Sequence, residues 1–370
     1  MKILHVVGAR PNFMKVAPLI VQLRRIAGVH QVLVHTGQHY DAKMSDVFFQ
    51  DLGMPAPDVH LGVGSGTHAQ QTAKVMTEIE PVLLREKPDL AVVAGDVNST
   101  LAVALVAAKL GIPVAHIEAG LRARDWGMPE EVNRVLTDRL SDLLFTPSRD
   151  GDANLIAEGI EPRRIHFVGN VMIDSLRAAL PRARESQIHE RLGVRRGAYA
   201  LATVHRPSNV DEPAALARVV AALSETAALT PIVFPIHPRT RARIEADGKL
   251  RARLAATPGL QLTEPLGYLD FLALVEGARL VMTDSGGIQE ETTALSVPCL
   301  TMRENTERPV TVEVGTNQLV GCDPAQIVPA AAAVLAGRAK KGALPELWDG
   351  KAAERIADVL VRFRGARVAA

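Results

Sequence analysis

This chain of 370 residues has few cysteines and few aromatic residues, and neither sign of charge is in clear excess. Its two cysteines, Cys299 and Cys322, form neither a CxxC pair nor a zinc spacing, which excludes a disulfide framework and favours a reducing compartment. Lys and Arg total 42 against 41 Asp and Glu, for a formal net charge of +1. That balance excludes a globally basic chain of the kind that binds nucleic acid through its phosphates, but it allows a local basic pocket.

Long uncharged apolar runs are also missing. No stretch approaches the ~20 residues that a membrane span requires. The apolar run Ile3–Val7 is shorter than the core of a signal peptide, and polar residues follow it. We therefore expect a soluble, cytoplasmic protein with neither a membrane nor a nucleic acid as its partner.

What the chain does contain is a repeated pattern of a short β-branched run, a loop with Gly, Pro or Asp, and a longer segment at helical spacing. This alternation predicts parallel sheets covered by helices on both faces. The predicted strands are Ile3–Val7, Gln31–His35, Leu90–Ala94, Val114–Ile117, Leu143–Phe145, Ile165–Val168, Tyr199–Val204, Ile232–Pro235, Leu260–Leu262, Leu280–Thr283, Cys299–Met302 and Gln318–Val320.

The length and a break in this pattern after Asn170 predict two domains. We expect an N-terminal Rossmann-like domain over residues 1–170 and a charged helical linker over 171–197. A second Rossmann-like domain is expected over 198–351, followed by a C-terminal helix over 352–370 that packs back on the first domain. The fold class is thus α/β, with two doubly wound parallel-sheet domains facing each other.

In doubly wound sheets, ligands bind beyond the carboxyl ends of the strands, so the residues there are candidates for function. The loop after the first strand brings Arg10 and Lys15 to a helix start whose N–H groups favour an anion, although a loop cation is often only solvated. Asn12 is a candidate helix cap. Asp96 follows the strand Leu90–Ala94 and is either a helix cap or a catalytic carboxylate.

Further acids follow the next strand. His116, within that strand, is interpreted as a satisfied sheet histidine, and Glu118 comes directly after the strand. Glu130 and Glu131 follow a proline, where acids suit the first turn of a helix. The alternative is that Asp96, Glu118 and one of this pair converge on one crevice. When two carboxylates lie close together, their pKa values move apart, which would give one proton donor and one proton acceptor.

The second half has a different chemical character. His205 and His237 each follow a predicted strand. Ser285, Gly286 and Gly287 follow another at a helix start, where small residues admit a phosphate to several N–H groups, although a plain tight turn is the alternative.

Two further features of the second half suit a nucleotide. Glu291 lies about one helical turn beyond the glycines and suits paired ribose hydroxyls. Arg303 and Arg308, after a later strand, suit a diphosphate.

Together these residues resemble the non-hydrolysing UDP-N-acetylglucosamine 2-epimerases over nearly the whole chain. The matching motifs are GARPNFMK (Gly8–Lys15), TGQH (Thr36–His39), GDVNST (Gly95–Thr100), HIEAGLR (His116–Arg122), PEEVNR (Pro129–Arg134), HRPSN (His205–Asn209), DSGGIQEE (Asp284–Glu291) and TERP (Thr306–Pro309). The resemblance implies the GT-B architecture, with two Rossmann-like domains around a central cleft, and a homodimer.

The resemblance also implies a reaction. UDP is eliminated across C1 and C2 of the sugar to give a 2-acetamidoglucal intermediate, and it then adds back with a proton delivered to the other face. No metal and no nicotinamide cofactor is implied. The implied groups are the catalytic residues Asp96, Glu118, Glu130 and His205, and the substrate-binding residues Arg10, Lys15, His237, Ser285, Gly286, Gly287, Glu291 and Arg308.

Several alternatives stay open at the level of sequence. The segment Ala123–Met128 is shorter than in many family members, so the active acid is either Glu130 or Glu131. A hydrolysing epimerase, which releases N-acetylmannosamine and UDP, would carry nearly the same motifs. An epimerase of a related UDP-acetamido sugar is a third interpretation. A GT-B glycosyltransferase or a non-catalytic nucleotide-sugar binding protein would have less use for clustered acids.

Overall fold

The structure, a computed structural model, describes residues 1–37 and 53–368, with the side chains of residues 10 and 364–368 outside that description. The chain forms two compact units. The first unit comprises Met1–Ala178 and Glu346–Ala370, and the second comprises Ala179–Pro345. Gln38 and His39, which belong to one of the motifs above, lie outside the described residues.

Each unit contains one parallel sheet. Within the described residues the first sheet has seven strands and the second has six. The strands of the first sheet are β1 (Lys2–Val7), β2 (His30–His35), β3 (Val59–His60), β4 (Leu90–Ala94), β5 (Val114–Ile117), β6 (Leu143–Thr146) and β7 (Ile165–Phe167). Those of the second sheet are β8 (Ala200–Thr203), β9 (Ile232–Pro235), β10 (Leu260–Thr263), β11 (Leu280–Thr283), β12 (Cys299–Thr301) and β13 (Asn317–Leu319).

Within the described residues, helices connect most consecutive strands of both units. The helices that begin before the second sheet are α1 (Arg10–Leu23), α2 (His68–Glu86), α3 (Asn98–Lys109), α4 (Pro129–Leu140), α5 (Arg149–Ala157), α6 (Val171–Arg184) and α7 (Ile188–Leu192). The later helices are α8 (Pro207–Val210), α9 (Pro213–Ala227), α10 (Pro238–Ala246), α11 (Gly248–Ala255), α12 (Tyr268–Gly277), α13 (Gly286–Ala294), α14 (Pro309–Glu313), α15 (Pro324–Leu335) and α16 (Ala352–Val368). A short 3-10 turn, Pro162–Arg164, precedes β7.

Both sheets have the strand order of a Rossmann fold. The first runs β3-β2-β1-β4-β5-β6-β7 and the second β10-β9-β8-β11-β12-β13. Counted from its own first strand, each therefore begins with the order 3-2-1-4-5-6 that defines this fold, and all its described strand pairs are parallel. The predicted fold class, two Rossmann-like doubly wound domains of the GT-B type, is confirmed.

The strands form where they do because helices bury both of their faces. Every residue of β4, β5 and β6 is buried. On one face of the first sheet, Val75 and Ile79 of α2 and Val103 of α3 pack with strand residues such as Leu4 and Val93. Each fully buried aliphatic side chain of this kind stabilises the fold by roughly 1.5–3 kcal/mol.

The predicted strands recur in the structure with shifts of no more than about two residues at their ends, whereas β3 was missed because two residues give no periodic signal. The segment predicted as a charged helical linker, residues 171–197, contains two helices, α6 and α7. Helix α16 packs against α1 within the first unit. In the described part of the chain, the helices are all too short or too polar to span a bilayer.

Candidate active site

The first unit concentrates its candidate residues where its strand order reverses. This switch point lies between β1 and β4, and ligands of doubly wound sheets bind at the carboxyl ends of such strands. A Cβ on Gly8, just after β1, would lie 2.6 Å from Ser99 Oγ and 2.7 Å from Thr36 Oγ1, so only glycine fits there. Helix α1 begins at Arg10, whose side chain lies outside the description, and the predicted role of Arg10 therefore stays a prediction.

Helix α1 is fixed by Asn12, although Asn12 is not its N-cap as the sequence suggested. The N-cap is Ala9, and Asn12 reaches back from inside the helix to accept hydrogen bonds from the N–H groups of Gly8 (3.2 Å) and Ala9 (2.9 Å). Its amide also donates to the Ala94 carbonyl oxygen at 2.7 Å. Asn12 thus ties the exit of β1 to the end of β4, which holds the two sides of the switch point together.

Lys15 and Glu118 form a buried ion pair at this edge. A Cβ on Gly95 would lie 2.8 Å from Lys15 Nζ and 3.3 Å from Glu118 Oε2, so the pair lies directly against the exit of β4. Glu118 has a φ of 70°, a conformation that costs a non-glycine residue on the order of 1–3 kcal/mol and is concentrated at functional sites. Its N–H donates to the Phe145 carbonyl at 3.1 Å, which keeps it there.

Asp96 does not cap a helix. The N-cap of α3 is Val97, so the interpretation of Asp96 as a helix cap is wrong. Asp96 Oδ2 instead accepts hydrogen bonds from Arg134 Nε (3.0 Å) and Nη2 (2.7 Å), and its side chain is 24% exposed. The carboxylate is therefore held by a buried guanidinium while one side of it stays accessible.

Glu130 and Glu131 have different surroundings. Glu131 is buried and accepts hydrogen bonds from Ala123 N (3.0 Å), Arg124 N (2.7 Å) and Arg134 Nη1 (2.6 Å). Both of its oxygens are thus engaged in holding the loop between β5 and α4 and in orienting Arg134. Glu130 is half-buried at the second position of α4. Glu131 therefore has a structural role, and the catalytic role predicted for Glu130 stays a prediction.

The second unit repeats the topology with other chemistry. Its switch point lies between β8 and β11, from which His205 and Asp284 emerge. The Nδ1 atom of His205 lies 3.0 Å from Asp284 Oδ1. Asp284 has no exposed surface and also accepts from the N–H groups of His205 (3.0 Å) and Arg206 (2.9 Å) and from the Asn209 amide (3.1 Å).

These contacts decide the state of both partners. Burial alone would raise the pKa of Asp284, but hydrogen bonds from the His205 ring and from the backbone hold it below the ordinary value. A carboxylate only accepts, so Nδ1 of His205 carries a proton and the ring is oriented with Nε2 away from Asp284. The His205 side chain is 38% exposed.

His237 is the N-cap of α10, and its Nδ1 accepts from the Arg239 N–H at 3.2 Å. Its ring centroid lies 5.7 Å from that of His205. Burial and the neighbouring His205 lower the pKa of His237 from its ordinary value. At neutral pH His237 is therefore an uncharged ring that presents Nε2–H as a donor.

The helix start after β11 has the features of a phosphate site. Ser285 is the N-cap of α13 and makes no capping hydrogen bond with its side chain, and Gly286 and Gly287 are the first two helical residues. The N–H groups of a first turn have no acceptor within the helix, and they attract an anion. A Cβ on Gly286 would lie 2.8 Å from Arg308 Cζ and from Glu307 Oε1, so its absence lets a guanidinium approach the helix start.

Arg308 belongs to a buried charge cluster. Its Nε lies 2.8 Å from Glu290 Oε1, and its Nη1 lies 2.5 Å from Glu307 Oε1. Glu307 is shared with Arg303 at 2.8 Å and with Arg206 at 3.2 Å. Three guanidinium groups thus pair with two buried carboxylates beside this helix start.

Glu291 is buried on α13 and accepts a hydrogen bond from the Tyr268 hydroxyl at 3.1 Å. That bond orients one carboxylate oxygen of Glu291, which lies one helical turn beyond the glycines. The predicted pairing of Glu291 with a ribose stays a prediction.

Sequence reasoning assigned no role to three residues that organise these sites. Arg134 lies three residues after Glu131 on α4, a spacing that indicates an ion pair. Asp284 directly follows β11, the same signal that singled out Asp96. Glu307 gave no usable signal, because an acid between arginines in a loop is typical of any surface.

The family comparisons agree with this geometry. A family model described as UDP-N-acetylglucosamine 2-epimerase matches residues 21–361. The UDP-N-acetylglucosamine 2-epimerase of Methanocaldococcus jannaschii is 43% identical over 97% of this chain and 99% of that protein. The UDP-2,3-diacetamido-2,3-dideoxy-D-glucuronate 2-epimerase of Pseudomonas aeruginosa is also 43% identical, over 98% of this chain and 100% of that protein. The crystal structure of the M. jannaschii enzyme with UDP-GlcNAc and UDP matches with a TM-score of 0.90, over 98% of this chain and 100% of that one.

Two Rossmann-like domains, one with two cation-held carboxylates at strand exits and the other with a glycine-rich helix start, suit an enzyme that acts on a nucleotide sugar. The matches over nearly the full length show which one. The chain belongs to the UDP-N-acetylglucosamine 2-epimerase family and is an isomerase, as its motifs predicted.

Proposed function

We propose that the enzyme interconverts UDP-N-acetylglucosamine and UDP-N-acetylmannosamine without releasing free sugar. One observation carries this proposal: Asp96 and Glu118 leave neighbouring strands at the switch-point edge, and each carboxylate is held by a buried cation. A nearby positive charge favours the ionised form of a carboxylate, which can accept a proton. An inversion needs one carboxylate that takes the proton from one face of the carbon and a second carboxyl group, protonated when the intermediate forms, that gives a proton to the other face.

The proposed reaction begins with an elimination. A carboxylate removes the proton from C2, the C1–O bond to UDP breaks, and a C1=C2 double bond forms to give 2-acetamidoglucal and UDP. In the return step the UDP oxygen adds to C1, and a second acid delivers a proton to the opposite face of C2. We assign the acid–base work to Asp96, Glu118 and Glu130, because Glu131 is engaged in structural contacts.

His205 is proposed to assist the departing diphosphate. Asp284 fixes its Nδ1–H and stabilises the imidazolium, so Nε2 can donate to an oxygen of the leaving group. His237 supports the same role as a neutral donor beside it. This arrangement stabilises charge that develops only as the C1–O bond breaks.

Retention of UDP between the two half-reactions distinguishes an isomerase from a hydrolase. We propose that the first turn of α13 holds a phosphate together with Arg308 and that Glu291 accepts hydrogen bonds from the ribose. Arg10 and Lys15 are proposed to line the sugar-diphosphate side. No cofactor is required by this chemistry.

A related sugar is the second candidate substrate, because the 43% identical P. aeruginosa relative is a UDP-2,3-diacetamido-2,3-dideoxy-D-glucuronate 2-epimerase. Such a sugar carries a carboxylate and a second acetamido group, while its C1 and C2 undergo the same elimination and readdition. The candidate acids serve either substrate equally, so the choice depends on groups that contact C3 and C6.

Incubation with each UDP-sugar in deuterated water, followed by NMR, tests the proposal. Epimerisation gives deuterium at C2 of an intact UDP-sugar. Free N-acetylmannosamine with UDP identifies a hydrolysing enzyme, and turnover of the diacetamido uronate alone identifies the second candidate. No exchange with either sugar contradicts the proposed chemistry.

The remaining proposals concern the setting of the enzyme. We propose that the enzyme is a homodimer, because the resemblance to the family implies one. We also propose that it works in the cytoplasm, because sparse, unpaired cysteines are typical of a reducing compartment. Light scattering coupled to size-exclusion chromatography measures the mass of the assembly, and a monomeric mass at working concentrations contradicts the dimer.

A further inference from the structure

His116 lies within β5 and has no exposed surface. Its neighbours in the sheet are Val93 of β4 and Leu144 of β6, so it lies in an interior strand whose other residues are apolar. A histidine in such a place requires hydrogen-bond partners for both ring nitrogens. The structure supplies two partners, which confirms the interpretation as a satisfied sheet histidine and adds a consequence for its charge.

Both ring nitrogens meet acceptors. Nε2 lies 2.8 Å from the Gly95 carbonyl oxygen, and Nδ1 lies 2.6 Å from Asp138 Oδ1. The other oxygen of Asp138 accepts from Gly120 N at 3.1 Å and from Arg122 Nη1 at 2.7 Å. A carbonyl oxygen can only accept, so Nε2 carries a proton.

Nδ1 must carry a proton as well. Burial alone would raise the pKa of Asp138, but its contacts with His116 and Arg122 hold it below the ordinary value. The guanidinium of Arg122 is always charged, so it favours the carboxylate form of Asp138 whatever the state of His116. Because a carboxylate donates no proton, the short contact with Nδ1 requires N–H on the ring. His116 is therefore an imidazolium, a buried positive charge balanced by Asp138.

This ion pair joins the segments that carry the candidate acids. Gly95 directly precedes Asp96, and Gly120 follows Glu118 by two residues; both glycines have positive φ, 67° and 81°. Asp138 belongs to α4, the helix whose second residue is Glu130. One imidazolium and one carboxylate thus connect the exit of β4, the exit of β5 and helix α4.

We propose that His116 and Asp138 form a positioning pair for the epimerase reaction, which fixes the Asp96, Glu118 and Glu130 segments in the arrangement that proton transfer at C2 requires. The inference rests on the proposed function. His116 and Asp138 are completely buried, so they act through the acids and not on the substrate. Displacement of a catalytic group by about 1 Å can cost roughly 10²-fold in rate, which sets the scale of the expected effect.

Two variants remove the charge and keep the shape. In Asp138→Asn, the amide can donate to a neutral His116 at Nδ1 while Nε2–H still meets Gly95 and the amide oxygen still accepts from Gly120. His116→Gln keeps a donor toward Gly95 but carries no charge. The matched control is Asp142→Asn, because Asp142 Oδ2 accepts from Val114 N at 2.9 Å at the opposite end of β5.

The charge is tested directly by nitrogen NMR of the histidine-labelled full-length enzyme. Among the 11 histidines, one is expected to carry a proton on both ring nitrogens, because each nitrogen of His116 faces an acceptor. That signal should be absent in His116→Gln and should change to a neutral ring in Asp138→Asn. A His116 ring that is neutral in the wild-type enzyme overturns the proposal, whether or not either variant folds.

The positioning role is tested by kinetics. Asp138→Asn and His116→Gln are expected to lower kcat, expressed per folded enzyme, by roughly 10- to 100-fold with KM changed less than about twofold. Asp138→Asn is also expected to melt below Asp142→Asn, because it removes a buried charge opposite Arg122. A wild-type kcat in both variants, or a loss that merely follows the folded fraction, overturns the role. If the wild-type enzyme epimerises neither candidate sugar, the proposed function fails, while the NMR result still reports the charge of His116.

Discussion

Replacement of Glu130 and Glu131 by glutamine, one at a time, separates a proton-transfer group from a structural one. Glu131 is 2% exposed and receives three hydrogen bonds, one of them from the Arg134 guanidinium. Glutamine keeps one acceptor oxygen but loses the charge opposite Arg134 and places an N–H₂ group among donors. We expect Glu131→Gln to lower the free energy of unfolding by about 2–4 kcal/mol.

Stability should then distinguish the two variants. For a unit of about 200 residues, that loss corresponds to a melting temperature lower by roughly 5–15 °C. Glu130 is half-buried on the first turn of α4, so Glu130→Gln should melt within about 2 °C of the wild type. Its kcat should fall by roughly 10²–10⁴-fold if it takes part in proton transfer.

Thermal unfolding by circular dichroism and initial rates of UDP-sugar epimerisation are the two assays, each measured on both variants. The reasoning is refuted if Glu131→Gln retains wild-type stability and loses turnover while Glu130→Gln stays active. Both variants inactive at full stability would instead show that Glu131 reaches the substrate, against its contacts with Ala123 and Arg124.

Three other predictions follow from the structure. Asp284→Asn should lower kcat by roughly 10²-fold or more, because the His205 tautomer is no longer fixed; rates measured against pH check this. Gly286→Ala should weaken UDP binding about 10-fold or more in calorimetry, because the new Cβ displaces Arg308. Burial raises the pKa of Asp174 to about 6. The contribution of Asp174 to the stability of the fold therefore falls as the pH rises toward and through 6. Urea denaturation from about pH 5 to 7.5 should show that the wild type loses ~1–2 kcal/mol of unfolding free energy relative to Asp174→Asn.

Each of these variants has a matched control in the same unit. Asp211→Asn removes an exposed acid that pairs with Arg239 and Arg243 and should leave kcat unchanged. Gly248→Ala adds a Cβ that contacts nothing within 4 Å and should bind UDP normally. Asp358→Asn, exposed on α16, should show no pH-dependent difference from wild type. Equal effects in a variant and its control would contradict the assigned cause.

Much of the fold could be predicted from the sequence because the strands are buried on both faces. Runs such as Leu90–Ala94 contain only apolar residues, and a Gly or Pro loop bounds them, so periodicity and length agree. Helix ends were less predictable. Asn12 satisfies the start of α1 from inside the helix, and Ala9 and Val97 are N-caps without a side-chain acceptor of their own, which no capping rule selects.

The loops that carry the site could be predicted from the sequence, but the roles of the individual residues in those loops could not. Chain position identified Asp96 and Glu118, since polar residues at strand exits meet at one sheet edge. It could not separate Glu130 from Glu131, because both suit a first helical turn and only the contacts with Arg134 and the preceding loop distinguish them. The charge inferred for His116 could not be predicted from the sequence either, because it depends on a contact with Asp138, which is distant in sequence.

Asp96 and Asp284 show why topology alone does not assign a role. Each lies just after the strand that faces the first strand of its sheet across the switch point. This strand is β4 for Asp96 and β11 for Asp284. Asp96 is 24% exposed and is held by Arg134, a cation that stays charged. Asp284 has no exposed surface, and its oxygens are engaged by a histidine ring, two backbone N–H groups and an amide. At the same place in the same fold, the accessible acid can exchange protons and the buried one can only fix the group that does.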